Sequence, residues 1–404
     1  MHNRFLINMI KKVKGTTDFM PKEESIKQKV FDSLNQVAQK FGFKQICTPI
    51  IESFELLSKK QGDEIRKQIF TIEKKGNEEI AMRAEFTPSF ARMFILNQKE
   101  LAKPVKWFSI GRVWRYEKPQ AGREREFYQF NVELYGSAEP IADAEIISLA
   151  IESLKSLGLK EKDFVVNVNN RKVLQNIIEQ FVDKNIDEVI RIIDKKTKVS
   201  ETDYKEMLKE VGIKDVDKLI KILEETDINK VKNANKLKKV LDLLPYECVK
   251  LNLTTARGLS YYTGTVFEIF DVNGKFRALC GGGRYDNMIE QFGGQPTPAT
   301  GFGMGWSTIS LLLADKGLLP EIDDGPDYFI AVINEEETAM KLATKLRKNN
   351  TVTVNLIERN VGNQMKYANS IGAKNVIVIG QEEVKNKTCK IKNMKTGKEK
   401  NMCL

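Results

Sequence analysis

Two strand-like runs flank a basic turn at residues 104–136, and each run alternates between two kinds of side chain. In the second run the even positions are Tyr128, Phe130, Val132 and Leu134, whereas the odd positions from 127 to 135 include Gln, Asn and Glu. Successive side chains of a strand point to opposite faces, so this pattern predicts a β-hairpin with a packed underside and a polar upper face. An ordinary hairpin, half exposed to solvent, is the alternative.

A helix and a broken strand are predicted near the start of the chain. Apolar residues recur at helical spacing from Ile26 to Phe41, and Gly42 is expected to end that helix. Residues 43–52 have the composition of a strand, but Pro49 interrupts it. Proline cannot donate a hydrogen bond to a neighbouring strand, so this segment is expected at an edge or an interface.

A second hairpin and a helix start are predicted before the main hairpin. Residues 69–72 and 80–83 are expected to pair, and Thr87 followed by Pro88 predicts a helix with Thr87 as its N-cap. Glu85 would then lie where a strand ends and a helix begins. A carboxylate at such a junction can face a ligand, but a lone acid in a turn is more often a solvated surface residue.

Residues 171–245 differ in character from their surroundings. They are rich in Lys, Glu, Ile and Leu at helical spacing, and they follow a predicted helix at residues 142–157 and a strand at residues 164–169. This composition predicts a helical insertion.

Glycines mark residues 251–313, where strand and turn patterns return. The run Gly281 to Gly283 indicates a close approach of the backbone, either to another segment or to a ligand. Gly301, Gly303 and Gly305 superficially match a dinucleotide-binding loop, but no strand-loop-helix unit with a downstream acid accompanies them.

A separate domain is predicted at the end of the chain. Residues 327–404 alternate strand and helix in a βαβαβ order followed by two short strands, which predicts a small α/β domain. We expect residues 1–322 to form the first domain, of α+β class, and residues 323–326 to be the linker.

Charge and composition narrow the function. The chain of 404 residues has 65 Lys and Arg against 55 Asp and Glu, a net charge of +10, and residues 327–404 alone hold 14 basic and 8 acidic residues. This excess favours a polyanionic partner, although a lysine-rich solvated surface is the common alternative. With no run of about 18 apolar residues, no membrane span is expected. The five cysteines lack CxxC spacing, as in a cytoplasmic protein with reduced thiols.

The number of histidines in the chain excludes a catalytic or metal-binding role for histidine side chains. His2 is the single histidine of the chain and lies in its first few residues. Imidazole general bases, catalytic triads and His-rich metal sites are therefore not expected, and we predict no protein-bound metal.

Several motifs together resemble one family, the histidyl-tRNA synthetases of the archaeal type, within the class II aminoacyl-tRNA synthetases. The resemblance covers nearly the whole chain, and its most specific parts are the hairpin and the segment at residues 256–268. The matching segments are KGTTDFMP (14–21), TPIIE (48–52), RAEFTP (83–88), WRYEKPQAGREREFYQFNVELYG (114–136), ARGLSYYTGTVFE (256–268) and GGRYD (282–286). It implies a class II catalytic domain, with an antiparallel sheet flanked by helices, and a C-terminal anticodon-binding domain at residues 327–404.

The resemblance implies that the protein joins histidine to tRNA(His) at the expense of ATP. Arg115 matches the arginine that grips the α-phosphate, and Arg257 matches one that acts like a second metal ion. Phe127 matches the residue that stacks on adenine, and Arg123 and Arg125 lie in the loop that meets ATP or the tRNA acceptor end. The implied ATP-binding set is Arg115, Glu117, Arg123 and Phe127, with Mg²⁺ carried on the phosphates.

The implied histidine site has two ends. Glu85, Thr87 and Gln129 match positions that hold the α-amino group, and Glu133 with Tyr262 match those that contact the imidazole. Tyr285 is expected to add a further wall. A homodimer is also implied.

Two departures bear on activity. Trp306, Ser307 and Thr308 stand where the family has a Leu-Glu-Arg run, and Ser260 stands where an aspartate is usual. The alternative hypothesis is therefore a synthetase paralogue with impaired catalysis, acting as a histidine sensor or regulatory subunit. A plain nucleic-acid-binding module would explain the basic terminus but not the polar hairpin face.

Overall fold

The computed structural model describes residues 11–59, 63–73, 76–196, 199–225, 228, 231, 233–256 and 261–404, with the backbone alone at residues 63–65. The chain divides into two compact units, of which the larger ends at Pro320 and the smaller contains Glu321–Leu404 together with Pro21–Ser25. Within the described ranges no helix combines the length and the apolar character needed to cross a bilayer.

An eight-stranded mixed sheet forms the centre of the larger unit. Its strands are β1 (Lys44–Gln45), β4 (Val105–Trp114), β5 (Glu126–Tyr135), β6 (Phe164–Asn170), β7 (Val249–Leu251), β8 (Thr265–Asp271), β9 (Cys280–Arg284) and β10 (Ala299–Gly305). They are arranged in the order β1-β4-β5-β10-β9-β8-β6-β7. The two outermost pairs, β1 with β4 and β6 with β7, are parallel and the other pairs are antiparallel. The predicted α+β class is confirmed.

Strands β4 and β5 form the predicted hairpin, in which Gly111 lies opposite Gln129 and Ser109 opposite Asn131. Its apolar underside, including Phe130 and Val132, belongs to the main core. The polar face is buried as well, because Asn131 is only 2% exposed. The alternative of a half-solvated hairpin is therefore wrong for the second half of β5.

Helices cover this sheet on both faces. The helices of this unit outside the insertion are α1 (Pro21–Lys40), α2 (Phe54–Ser58), α3 (Asp63–Gln68), α4 (Thr87–Asn97), α5 (Pro140–Ser156), α11 (Met288–Gln291) and α12 (Trp306–Asp315). The main core joins β5 to α1, α5 and α12, and a second cluster joins the other face to α4.

The described residues of the segment 171–245 are mainly helical, as predicted. Its helices are α6 (Arg171–Ile178), α7 (Ile186–Ile193), α8 (Glu201–Glu210), α9 (Val216–Glu225) and α10 (Asn235–Asp242). Buried residues of these helices, such as Ile190, Leu208 and Leu237, extend the main core. Apolar residues at helical spacing therefore anchor the insertion.

One predicted hairpin is only partly correct. Strand β3 (Ile80–Met82) pairs with β2 (Ile51–Ser53), and Thr71 makes only an isolated bridge to Ala81. Backbone hydrogen bonds from the N–H of Ile72 to the carbonyl oxygen of Ile80 (3.1 Å) and from the N–H of Met82 to that of Phe70 (2.9 Å) still join the two predicted segments. The additional pairing of β3 with β2, which is distant in sequence, is beyond the reach of local patterns.

The smaller unit contains a five-stranded sheet. Its strands are β11 (Tyr328–Val332), β12 (Val352–Val354), β13 (Asn375–Ile379), β14 (Thr388–Asn393) and β15 (Glu399–Cys403), and its helices are α13 (Glu336–Leu346), α14 (Val361–Ser370) and α15 (Gln381–Asn386). The strands are arranged in the order β12-β11-β13-β14-β15. The predicted order of elements is correct except for α15. That helix is only 6 residues long, too short for a periodic pattern.

Candidate active site

The floor of the site is the polar face of β5, and glycines of the next strand make room for it. On β10, Phe302 and Met304 point into the main core. The intervening glycines face the site: a Cβ built on Gly301 would overlap Oε2 of Glu133, and one on Gly303 would overlap the Gln129 amide. The glycine pattern that superficially matches a dinucleotide loop is therefore a strand that leaves space for two polar side chains.

The row Gly281 to Gly283 has a related role in β9. A Cβ on Gly282 would overlap the carbonyl oxygen of Gly301, and one on Gly283 would overlap that of Thr265. Of the two alternatives, close approach to another chain segment is what the structure contains.

Glu133 is the most buried ionisable group of the site, with 1% exposure. Its Oε1 accepts hydrogen bonds from the Thr87 hydroxyl (2.7 Å) and the Asn131 amide (2.8 Å), and its Oε2 accepts one from the Tyr285 hydroxyl. Burial raises the pKa of Glu133 to about 8, although the bonds from Thr87 and Asn131 oppose this shift. Three donors thus surround a carboxyl that is easily protonated near neutral pH.

Thr87 differs from its predicted role. Helix α4 begins at Thr87 itself, Phe86 precedes it, and no side chain caps its first turn. The hydroxyl expected to cap the helix instead donates to Glu133, which lies 46 residues further along the chain. Pro88 in the first turn needs no hydrogen-bond acceptor, which lowers the cost of losing the cap.

Glu85 lies beside this network and is buried, with 5% exposure. The hydroxyl of Tyr261 donates to its Oε2 over 3.2 Å. Tyr261 also packs edge-on against Tyr285, with ring centroids 5.7 Å apart, and its ring is tilted against that of Tyr262 at 4.9 Å. The junction carboxylate is therefore a buried part of the site and not a solvated residue.

Gln129 supplies an unsatisfied acceptor. Among the described residues, its buried Oε1 has no hydrogen-bond donor. A buried carbonyl oxygen without a partner costs roughly 1 to 3 kcal/mol, so such an atom is expected to meet a ligand donor.

The strand end that carries Tyr285 is held by a buried ion pair. Arg284 donates to Asp143 through Nε (3.0 Å) and forms a second contact at 2.9 Å, and its Nη1 reaches the carbonyl oxygen of Ser137 at 2.8 Å. Burial raises the pKa of Asp143, while the guanidinium of Arg284 opposes that shift. This network links β9 to α5 and restrains the backbone next to Tyr285.

A cation and an aromatic ring lie together at the other end of β5. The guanidinium carbon of Arg115 is 5.7 Å from the centre of the Phe127 ring, and Nε donates to the carbonyl oxygen of Ala84 over 2.9 Å. Phe127 and Glu133 share one face and are six residues apart, so roughly 20 Å of strand separates them. The floor therefore has a cationic, aromatic end and a carboxylate end.

The loop between β4 and β5 is held by contacts on several sides. Within it Glu117 pairs with Arg123, and Arg125 lies over the ring of Tyr116 at 4.1 Å. Glu124 accepts hydrogen bonds from the hydroxyls of Thr17 and Ser307, which joins the loop to the N-terminal segment and to the start of α12.

Comparison with known proteins identifies one family. A family model described as histidyl-tRNA synthetase matches residues 15–309, and one described as an anticodon binding domain matches residues 327–404. The chain is 40% identical over 413 residues to a histidine--tRNA ligase of Haloarcula marismortui, covering 97% of this chain and 95% of that protein. The chain belongs to the histidyl-tRNA synthetase family.

Further relatives extend the likeness over the full chain. A histidine--tRNA ligase of Pyrococcus horikoshii is 37% identical over 420 residues, with 98% of this chain and 97% of that protein covered. The crystal structure of apo S. aureus histidyl-tRNA synthetase matches with a TM-score of 0.73 at 26% identity, covering 98% of this chain and 97% of that one. The predicted family and class II fold are confirmed.

The departures from the histidyl-tRNA synthetase pattern have distinct surroundings. Trp306 packs edge-on against Phe31, with ring centroids 5.6 Å apart, and Thr308 is buried. Trp306 also lines a small cleft beside Phe127. Arg112 supplies a cation to this cleft and pairs with Glu126 at 3.4 Å. Arg257 and Ser260 lie outside the described residues.

Three residues of the site are not singled out by the sequence patterns. The alternation of β5 places Asn131 on the polar face without indicating its role. Arg284 and Tyr261 carry no signal of their own. Nothing local distinguishes Tyr261 from Tyr262 as the partner of Glu85, because the choice depends on how residues 261–264 approach the sheet.

The sequence predicts no protein-bound metal. In the described part of the chain, no group of three or more His, Cys, Asp or Glu side chains is arranged to hold a metal ion.

Proposed function

We propose that this protein is a histidine–tRNA ligase, an ATP-dependent enzyme that forms histidyl-adenylate and transfers histidine to the 3′ end of tRNA(His). The observation that carries the proposal is the buried Glu133, ringed by the donors Thr87, Asn131 and Tyr285 on the same strand face that begins with Phe127. Membership in the histidyl-tRNA synthetase family supports the same activity.

Histidine fits the carboxylate end of the floor. Glu85, Thr87 and the unsatisfied Oε1 of Gln129 are the groups proposed to hold the α-ammonium. Glu133, Tyr262 and Tyr285 are proposed to surround the imidazole, whose two nitrogens need one partner each. A site built to hydrogen-bond its substrate rejects analogues without those groups by ~10⁴ or more, which makes proofreading unnecessary.

ATP fits the other end. Activation requires the histidine carboxylate to attack the α-phosphorus, so negative charge develops on phosphate oxygens and fixed cations should face them. We assign Arg115 to the α-phosphate, Phe127 to stacking on adenine, and Glu117 and Arg123 to further contacts with ATP. Arg257 is assigned as the second catalytic cation. Mg²⁺ would be carried on the outer phosphates and needs few protein ligands.

The remaining assignments concern partners and organisation. We propose a catalytic domain at residues 1–322, a linker at residues 323–326 and an anticodon-binding domain at residues 327–404 that contacts tRNA(His). The active form is proposed to be a homodimer located in the cytoplasm.

The regulatory alternative has less support. The relatives at 37% to 40% identity are histidine--tRNA ligases that match this chain over nearly its full length. The histidine-binding groups also occur together with Arg115 at the ATP end.

Histidine-dependent exchange between ATP and pyrophosphate tests the proposal. The wild-type protein should catalyse exchange only when histidine is present. Arg257→Ala should reduce turnover by about 10² to 10³, as expected for loss of one charge-stabilising donor. Arg347→Ala, a change at an exposed position of the smaller unit, is the control and should exchange normally. Histidine binding without any exchange by the wild-type protein would favour the sensor.

A further inference from the structure

The excess positive charge of the smaller unit is concentrated in its last twenty residues. Residues 327–384 hold 7 basic and 7 acidic residues, whereas residues 385–404 hold 7 lysines and 1 glutamate. The entire net charge of residues 327–404 therefore comes from the terminal hairpin, which consists of the end of α15, the strands β14 and β15, and the turn between them.

All seven lysines of the terminal hairpin are exposed, at positions 385, 387, 390, 392, 395, 398 and 400. Strands β14 and β15 are antiparallel, and the buried Cys389 and Ile391 hold β14 to the core. Lys390 and Lys392 alternate with these two residues, so they share the opposite face. The fold thus fixes the spacing of Lys390 and Lys392 on one face of β14.

Few of these charges are neutralised within the protein. The single acid of the terminal hairpin, Glu399, lies 3.5 Å from Lys390, and both side chains are largely exposed. The other six lysines make no ion pair with any residue that the structure describes. Like charges at this density repel one another, and a polyanion would relieve that repulsion.

Protection of a sheet edge is the competing explanation. Lysines on an edge strand discourage pairing with a second chain, and β15 is an edge of its sheet. Only Lys400 lies on β15 itself, whereas Lys390 and Lys392 lie on the inner strand and the other four lie in α15 or the turns. Edge protection does not account for lysines placed away from the edge.

We propose that the terminal hairpin binds the sugar-phosphate backbone of tRNA. This inference rests on the proposed function and extends it by naming the surface and the part of the RNA involved. Lysine contacts to phosphates set affinity and orientation but do not read sequence. The terminal hairpin would therefore position the tRNA while other groups recognise its bases.

The test compares two four-lysine variants of the full-length protein with equal loss of charge. In the first, Lys390, Lys392, Lys398 and Lys400 are changed to Gln. The control carries the same change at four exposed lysines of α13, α14 and the residues after α13: Lys341, Lys345, Lys348 and Lys366. Binding to transcribed tRNA(His) is measured from 50 to 200 mM salt.

The hairpin variant should bind about tenfold or more weakly at the lowest salt, and its slope of log affinity against log salt should be shallower by about 3, since each phosphate contact contributes about 0.7 to 0.9. The control should match the wild-type slope. A third variant with Arg at the four hairpin positions keeps the charge and should bind normally, which separates loss of contact from damage to the fold.

The inference is overturned if the hairpin variant keeps the wild-type slope, and increased aggregation of that variant would then identify edge protection as the role of the lysines. Histidine-dependent pyrophosphate exchange serves as the separate check on the proposed function. It should be unchanged in all three variants, because the terminal hairpin is assigned no part in activation. If the wild-type protein failed to exchange pyrophosphate, the proposed function would fall, whereas the salt slopes would still report whether the hairpin binds RNA.

Discussion

Replacing Glu133 by Gln tests how burial controls the central carboxyl of the site. The change keeps the length of the side chain and an oxygen that accepts from Thr87, but it removes the titrating proton. Burial raises the pKa of Glu133 from 4.5 to about 8. Because one pH unit of pKa corresponds to about 1.4 kcal/mol, ionising this carboxyl costs roughly 5 kcal/mol more in the folded protein than in the unfolded chain.

The sign of the pH dependence follows from proton binding. Well below pH 4.5 both the folded and unfolded states carry the proton, so the group adds no pH dependence to the free energy of unfolding. Between pH 4.5 and about 8 the folded protein keeps a proton that the unfolded chain releases. The free energy of unfolding of the wild type therefore falls as the pH rises through this range, whereas the amide of the Glu133→Gln variant does not titrate and its contribution stays constant.

Urea unfolding at pH 5 and pH 9 measures the difference. The 3 tryptophans of the chain all lie in the larger unit, at positions 107, 114 and 306, so their fluorescence follows that unit. Glu133→Gln should gain roughly 4 kcal/mol relative to the wild type between the two pH values, because the unfolded carboxyl has already begun to ionise at pH 5. Glu100→Gln, at an exposed position, should gain nothing. An equal difference between Glu133→Gln and wild type at both pH values would refute the reasoning.

The same variant tests histidine binding. In the proposed site, Glu133 and the substrate imidazole share one proton between them, a condition met between the imidazole pKa of about 6.5 and the Glu133 pKa of about 8. Histidine affinity of the wild type should be greatest in this range and fall on either side. Glu133→Gln should bind histidine weakly and lose the fall in affinity above pH 8.

Three further substitutions test the surroundings of this group and the loop. Thr87→Val removes a hydrogen-bond donor to Glu133 and should raise the KM for histidine by about tenfold. The control Thr87→Ser keeps the hydroxyl and should behave as wild type, and equal KM values for the two variants would exclude the hydrogen bond as the cause. Gly301→Ala places a Cβ against Oε2 of Glu133 and should lower the rate of pyrophosphate exchange by about 10² or more. A Cβ added by the control Gly305→Ala meets nothing within 4 Å, so this variant should retain activity, and equal rates for the two variants would contradict the assigned role of Gly301. Glu124→Ala removes the hydrogen bonds from Thr17 and Ser307 to the loop, so the KM for ATP should rise with little change in the KM for histidine. Adding Ser307→Ala should raise the KM for ATP no further, and additive increases would show that the two side chains act separately.

Local patterns were sufficient for most elements but not for their partners. The alternation of residues 127–135 predicts β5 and the face that each side chain occupies, since a period of two is a property of any strand. The same reasoning assigns Thr87 to a helix cap, because capping is the usual use of a threonine before proline. Glu133 is far away in sequence, so only the folded chain shows that the Thr87 hydroxyl is used there.

The hairpin, the helical insertion, the α/β terminal unit and the family were therefore determined by the sequence alone, through periodicity and through motifs that occur together. The tertiary structure decided which polar groups became buried. Glu85, Asn131 and Glu133 are ordinary polar residues in the sequence, and packing of α4, β9 and β10 around them removes water and raises the pKa of Glu133. Desolvation depends on what surrounds a group in space, and neighbours in space are set by long-range packing.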